Sequence, residues 1–252
     1  MADASHGGSP IDPLSQFEIK PIVPIEIFGL DVSFTNSALY MVISLVVVAG
    51  FMMMATRGRA LVPGRMQSVA EMSYEFIAGI VRDNAGTAGL QYFPLIFTFF
   101  TFILACNLLG LTPYAFTVTS HIIVTGALGL FAVGVVTAIG FARHGLGFLR
   151  LFAPSGLPTW IMPIIVPIEV ISYLIRPLSL SVRLFANMVA GHMVLKVFAG
   201  FIVMMGVAMG WVPFIVMIAV NALEVLIGFL QAYVFAMLVS IYLNDALHLH
   251  DH

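Results

Sequence analysis

From Tyr92 to Ala142 the chain carries no Asp, Glu, Lys or Arg. A stretch that apolar and that long belongs in the hydrocarbon interior of a lipid bilayer. The rest of the chain agrees. Of 252 residues 61% are apolar and 9% charged, and the mean hydropathy is +1.07, whereas a soluble domain needs charge to cover its surface. No polar linker exceeds about 30 residues, too short to fold alone, so a single membrane domain is expected. The net charge of −2, with no run of adjacent Lys and Arg, points away from nucleic acid and from a polybasic lipid anchor. Cys106 is the one cysteine, so no intrachain disulfide forms, and its expected role is packing.

The expected fold class is an all-α polytopic membrane protein: transmembrane helices, a surface amphipathic helix, and two long, steeply tilted membrane helices forming a hairpin. Residues 1–35 form an extracytoplasmic segment in which Asp3, Asp12, Glu18, Glu26 and Asp31 outnumber Lys20. That is the wrong sign for a cleavable signal peptide, so the first apolar segment is expected to stay as an anchor. The membrane domain is 36–252. Its first span, 36–56, is followed by Arg57, Arg59 and Arg65, which place that loop in the cytoplasm and the N-terminus outside. In 66–85, Glu71, Glu75 and Arg82 alternate with Val69, Met72, Phe76, Ile77 and Ile80 at helical spacing. This suits a helix lying on the cytoplasmic membrane surface or docked against neighbouring spans. A hairpin over 91–142 turns at Pro113 and Ser120 and returns to Arg143, His144 and Arg150, with Gly126, Gly129 and Gly134 allowing close helix contact.

After Pro154 and Pro158 comes the hairpin 161–243, turning at 206–213 and returning the C-terminus to the cytoplasm. At 1.5 Å per residue its arms span roughly 60 Å and 50 Å, about twice the hydrocarbon thickness, so they must tilt steeply if continuous. Pro163, Pro167 and Pro177 are candidate kinks in the first arm. The His-rich ending is read as solvated.

This hairpin carries the polar residues. Glu169, Ser172, Arg176, Ser179, Arg183 and Asn187 advance in steps of three and four, which stacks them along one helical stripe. One reading of that stripe is a helix-joining hydrogen-bond ladder with a Glu169–Arg176 pair. Arg183 asks for more, because an intramembrane Arg costs about 2.5 to 3.5 kcal/mol on insertion scales. No acid lies three or four positions from it, so its counter-charge must come from another helix, from water or from another protein. His192 and Lys196 fall on nearly the opposite side, Lys196 reading as a snorkelling residue and His192 as a proton relay or an interfacial histidine. Asn221, Glu224, Gly228 and Gln231 make a second stripe, on which Glu224 is a titratable group without a local partner. If His192 and Glu224 meet across the hairpin, they form a proton-exchanging pair.

Three functional classes compete. A haem-carrying redox subunit needs paired histidines on facing helices, and His121, His144 and His192 are too few and at different depths. An intramembrane protease needs an activated Ser or a carboxylate pair; no G-x-S-x-G occurs, and Glu169 and Glu224 share no motif. An ion-conducting protein or a stand-alone proton-coupled transporter fits the stripes best, although internal repeats are not evident.

The segment Arg176-Pro-Leu-Ser-Leu-Ser-Val-Arg183-Leu-Phe-Ala-Asn187-Met-Val-Ala-Gly191-His192 closely resembles the signature of subunit a of F-type ATP synthases. The resemblance runs the length of the chain, ending in Gln231-Ala-Tyr-Val-Phe and Tyr242. It implies a non-catalytic subunit of the bacterial inner membrane, without cofactor or metal. Arg183 stands at the family's essential arginine, Asn187 at its nearby asparagine and Gln231 at its last-helix glutamine. Glu169, Asn187, His192, Glu224 and Gln231 become the expected proton pathway, with Arg176 and Asn221 secondary. His192 and Glu224 look like an exchange of the Glu and His that some bacterial members carry at these places. The implied partners are a ring of c subunits, whose carboxylates pass Arg183, peripheral-stalk b subunits, the soluble ATPase head indirectly, and lipid.

Overall fold

Thr35 and Asn36 start the first membrane helix. Thr35 Oγ1 accepts the Ala38 N–H at 3.4 Å and Asn36 Oδ1 the Ser37 N–H at 2.9 Å, so two backbone donors at the helix start are satisfied before the chain turns apolar. The computed structural model describes residues 19–24, 26–27, 30–31, 33–57, 62–112, 115–152 and 160–248. Asp3, Asp12, Glu18, Arg59, Pro113, Pro154, Pro158 and the terminal His250, Asp251 and His252 lie outside them, as does the side chain of Arg150.

Two small antiparallel ladders precede the helices, an addition to the all-helical expectation. β1 (Pro21–Val23) pairs with β4 (Phe34–Thr35), and between them β2 (Glu26–Ile27) pairs with β3 (Leu30–Asp31). Lys20 N donates to Asn36 Oδ1 at 3.2 Å, tying this ribbon to the helix start.

Among the described residues six α-helices follow: α1 (Asn36–Arg57), α2 (Arg65–Gly89), α3 (Phe93–Gly110), α4 (Ile122–His144), α5 (Met162–Met209) and α6 (Trp211–Leu247). By length and composition, five helical segments of the described residues can cross a membrane, α2 and α3 counting as one run. Gly86, at φ 64°, bends α2 before a 3-10 turn at Leu90–Tyr92 leads into α3. Only glycine takes that φ without strain.

Helix α2 docks against other helices. Ile77, Ile80, Val81 and Ala85 are buried in the core shared with α3 and α6, while Val69 and Met72, expected on the same apolar face, are exposed. The second half of α2 is thus docked, while its first half leaves apolar side chains exposed. A 3-10 turn at Val118–Ser120 joins α3 to α4. The ends of α4 and α6 lie side by side, with His144 Nε2 3.2 Å from the Leu247 carbonyl. Both helices therefore finish on one face of the protein.

In lipid there is no hydrophobic drive between helices, so close packing and hydrogen bonds carry association. On α4 only Gly129 serves in this way. A Cβ there would lie 2.5 Å from Ser181 Oγ and 2.7 Å from the Pro177 carbonyl of α5, whereas Gly126 and Gly134 have nothing within 4 Å. Gly140, not singled out from sequence, seats the Phe148 ring instead.

Pro163 sits in the first turn of α5, and Pro167 and Pro177 lie inside it without breaking it. The non-helical residue is Gly206, at φ 60°, so the turn into α6 is compact and Pro213 falls within the first turn of α6. The buried face of α5 runs Leu180, Leu184, Met188 in steps of four; that of α6 runs Ala232, Phe235, Ala236, Val239, Leu243. These two stripes meet in an oily seam between the helices.

Candidate functional site

One turn beyond Met188 the α5 stripe reaches His192, and one turn before Gly228 the α6 stripe reaches Glu224. Their packing places the two polar groups opposite each other. His192 Nδ1 lies 3.5 Å from Glu224 Oε1, and the residues are 8% and 2% exposed. Gly191 makes the room: a Cβ there would fall 2.6 Å from Glu224 Oε1. Neither carboxyl oxygen of Glu224 has a hydrogen-bond partner among the described residues. A buried carboxyl in that state carries a desolvation cost, which pairing with His192 can offset.

The other ring nitrogen, His192 Nε2, is 2.8 Å from Thr117 Oγ1, and Thr117 also lies 3.3 Å from the Gly110 carbonyl at the end of α3. Beneath this, Asn107 Nδ2 donates to the Gly228 carbonyl at 3.0 Å, and Thr119 Oγ1 donates to Asn107 Oδ1 at 2.9 Å. On the seam itself Asn187 Nδ2 donates to Gln231 Oε1 at 3.0 Å, while the buried Gln231 Nε2 has no hydrogen-bond partner among the described residues. Thr117, Thr119 and Asn107 were not singled out from sequence. Asn107 had a signal, an amide in an otherwise apolar span; the loop residues had none.

Arg183 is exposed on α5, near enough to Tyr242 of α6 to act on it electrostatically, with no hydrogen bond or ion pair among the described residues. The six-residue stripe does not act as one unit. Arg176 pairs not with Glu169 but with Asp245 of α6, at 3.0 Å. Its guanidinium also lies 4.7 Å from the Tyr242 ring centroid and 5.3 Å from that of Tyr173. The reason is reach: α6 brings Asp245 into line with Arg176, whereas Glu169 is seven positions away along the same helix. Glu169 is half-buried without an ion pair among the described residues, and Ser172 is exposed. Asn221 is exposed as well, because a step of three turns it some 60° from Glu224 and out of the seam. Among the described residues no group of three or more His, Cys, Asp or Glu is placed to hold a metal ion.

Five membrane-length helical segments among the described residues define an integral multi-pass membrane protein, and His192 and the Glu224 carboxyl face each other inside it. The family described as ATP synthase A chain matches residues 38–244. ATP synthase subunit a of Mesorhizobium japonicum is 57% identical over 244 residues, covering 94% of this chain and 97% of that protein. Those of Azorhizobium caulinodans and Rhizobium meliloti are 56% and 54% identical over 245 and 243 residues, covering 94% of this chain and 98% and 97% of theirs. The chain belongs to the ATP synthase A chain family.

Proposed function

We propose that this chain is the proton-channel stator subunit of a bacterial F-type ATP synthase, with Arg183 as its coupling residue. Two offset aqueous half-channels meet a rotating ring of c subunits, each bearing one membrane carboxylate. A pathway of Glu169, Asn187, His192, Glu224 and Gln231 serves the protons, which enter from outside, neutralise a ring carboxylate, travel round through lipid, and leave to the cytoplasm near Arg183. The guanidinium stays charged at any working pH, so it favours the ionised ring carboxylate and cannot itself pass the proton on. It is both release trigger and barrier. Each charge moved is driven by about 2.3 kcal/mol per 100 mV, so several must move per ATP made.

The N-terminus lies outside and the C-terminus in the cytoplasm, by the positive loop after α1. At 1.5 Å per residue α5 and α6 are far longer than a bilayer of about 30 Å, so they cross obliquely and follow the curve of the ring. Peripheral-stalk b subunits hold the stator, and ATP chemistry stays in the soluble head.

The observation that carries this reading is the exposed Arg183, which lacks an ion-pair partner among the described residues yet stands on the same helix as His192, whose buried partner Glu224 comes from α6. A membrane Arg requires a counter-charge, and here that charge must come from outside the chain. In vesicles holding the whole complex, Arg183→Ala is expected to abolish ATP-driven proton pumping while assembly persists. Normal pumping by this variant would overturn the proposal.

A further inference from the structure

We infer that Thr117, on the connection between α3 and α4, is a positioning residue that fixes the tautomer of His192, so that protons exchange with Glu224 only through Nδ1. The inference rests on the proton-path reading above. Thr117 Oγ1 sits between two atoms, 2.8 Å from His192 Nε2 and 3.3 Å from the Gly110 carbonyl. A hydroxyl has one hydrogen, and a carbonyl oxygen can only accept. Both contacts become hydrogen bonds in one arrangement: His192 Nε2–H donates to Thr117, and Thr117 donates to Gly110. The reverse leaves the Gly110 carbonyl facing an oxygen lone pair in a buried site, a costly loss.

Two features hold the threonine there. It is 4% exposed, and Gly110 leaves it space, since a Cβ on Gly110 would fall 2.8 Å from Thr117 Cγ2 and 3.1 Å from its hydroxyl. With Nε2 protonated, neutral His192 turns the bare lone pair of Nδ1 toward Glu224 Oε1, 3.5 Å away. The exchange then balances simply. The Glu224 carboxyl O–H bond breaks, an Nδ1–H bond forms, and a carboxylate faces an imidazolium; the reverse step returns the proton. The opposite tautomer would place an N–H against a protonated carboxyl and block transfer. Lys196, the other charged group near His192, stands one helical turn further along α5, and Thr117 itself does not titrate.

The test uses the assembled complex in vesicles, measuring ATP-driven and passive proton flux for Thr117→Val, Thr117→Ser and Glu224→Gln. Thr117→Val keeps the shape and loses the hydroxyl; flux is expected to fall about tenfold, the scale of one buried hydrogen bond lost. Thr117→Ser is expected to restore it. Wild-type flux in Thr117→Val, or a Ser variant as slow as Val, would overturn the inference, the second by pointing to packing alone. Nitrogen-15 spectra of the histidine-labelled wild-type complex, with the His192 signal assigned by its loss in His192→Asn, are expected to show Nε2 protonated and Nδ1 bare at neutral pH. The opposite tautomer would sink the inference whether or not Thr117→Val assembles. Normal pumping by Glu224→Gln would instead remove the proton path, leaving the spectra to judge Thr117 alone.

Discussion

Asn187 on α5 donates to Gln231 on α6 across 3.0 Å, one helical turn beyond Arg183. This bond pins the arginine-bearing stretch of α5 to the last helix, so the height of Arg183 is set by α6 as well as by its own backbone. Hydrogen bonds between membrane helices couple by about 0.6 kcal/mol on average and about 1.7 at most. Asn187→Leu and Gln231→Leu are therefore expected to slow pumping without abolishing it. The double variant should cost less than the sum of the two. Strict additivity in the thermal stability of the complex would show that the bond carries no coupling.

The His192–Glu224 contact predicts an exchange experiment. Both side chains are buried and face each other at 3.5 Å, so each single change, His192→Glu or Glu224→His, sets like groups opposite one another. Both singles are expected to lose most proton flux. The double exchange restores a His–carboxyl pair and should recover a substantial part of it. A double variant no better than either single would show that the residues act separately.

The parts of the site legible in the sequence were those whose physics is one-dimensional. Apolar runs without charge located the spans, and helical spacing put His192 on the side of α5 away from Arg183 and Glu224 on one stripe with Gly228 and Gln231, leaving open whether the two met. Helical spacing could not say which partner a side chain finds on another helix. It grouped Glu169 with Arg176, yet Asp245, arriving from α6, takes that arginine. It also placed Asn221 beside Glu224, although one step of three falls about 60° short of a full turn and leaves Asn221 outside. Thr117 was invisible for another reason. A loop has no periodicity to reveal which way its side chains turn.

Replacing Arg183 by Lys keeps the charge but not the chemistry. Guanidinium holds its proton under all working conditions, whereas a desolvated ammonium can release one and join the conduction path. Arg183→Lys is thus expected to assemble, to leak protons passively and to fail in ATP-driven pumping. Proton-tight vesicles that pump normally with lysine would show that charge alone suffices.

Gly191 leaves the space that the Glu224 carboxyl fills. An added methyl would overlap Oε1 and the carboxyl carbon, at 2.6 and 2.7 Å, so Gly191→Ala must push the side chain or part the two helices. Overpacking of this kind costs about 1 to 3 kcal/mol. Lowered thermal stability of the complex and a strong loss of proton flux are expected together. Gly126→Ala, where nothing lies within 4 Å, serves as the comparison and should be silent. Equal effects from the two would refute the steric argument.

Arg176 and Asp245 join the same two helices at their other end. Their side chains are 22% and 21% exposed, between a surface pair and a buried one, and the guanidinium also lies over the rings of Tyr173 and Tyr242. Thr137 of α4 bonds the Tyr173 hydroxyl at 2.5 Å, which fixes one of those rings. Exposed pairs contribute up to about 1 kcal/mol and cation–π contacts about 0.5 to 2 kcal/mol. Arg176→Met is therefore expected to destabilise the complex more than Asp245→Asn does, because it removes both kinds of contact. Salt should weaken the wild type toward Asp245→Asn and leave Arg176→Met unchanged, since only the ion pair is screened. Thermal unfolding of the three proteins at low and high ionic strength checks this, and equal destabilisation by the two variants would show that the rings contribute nothing.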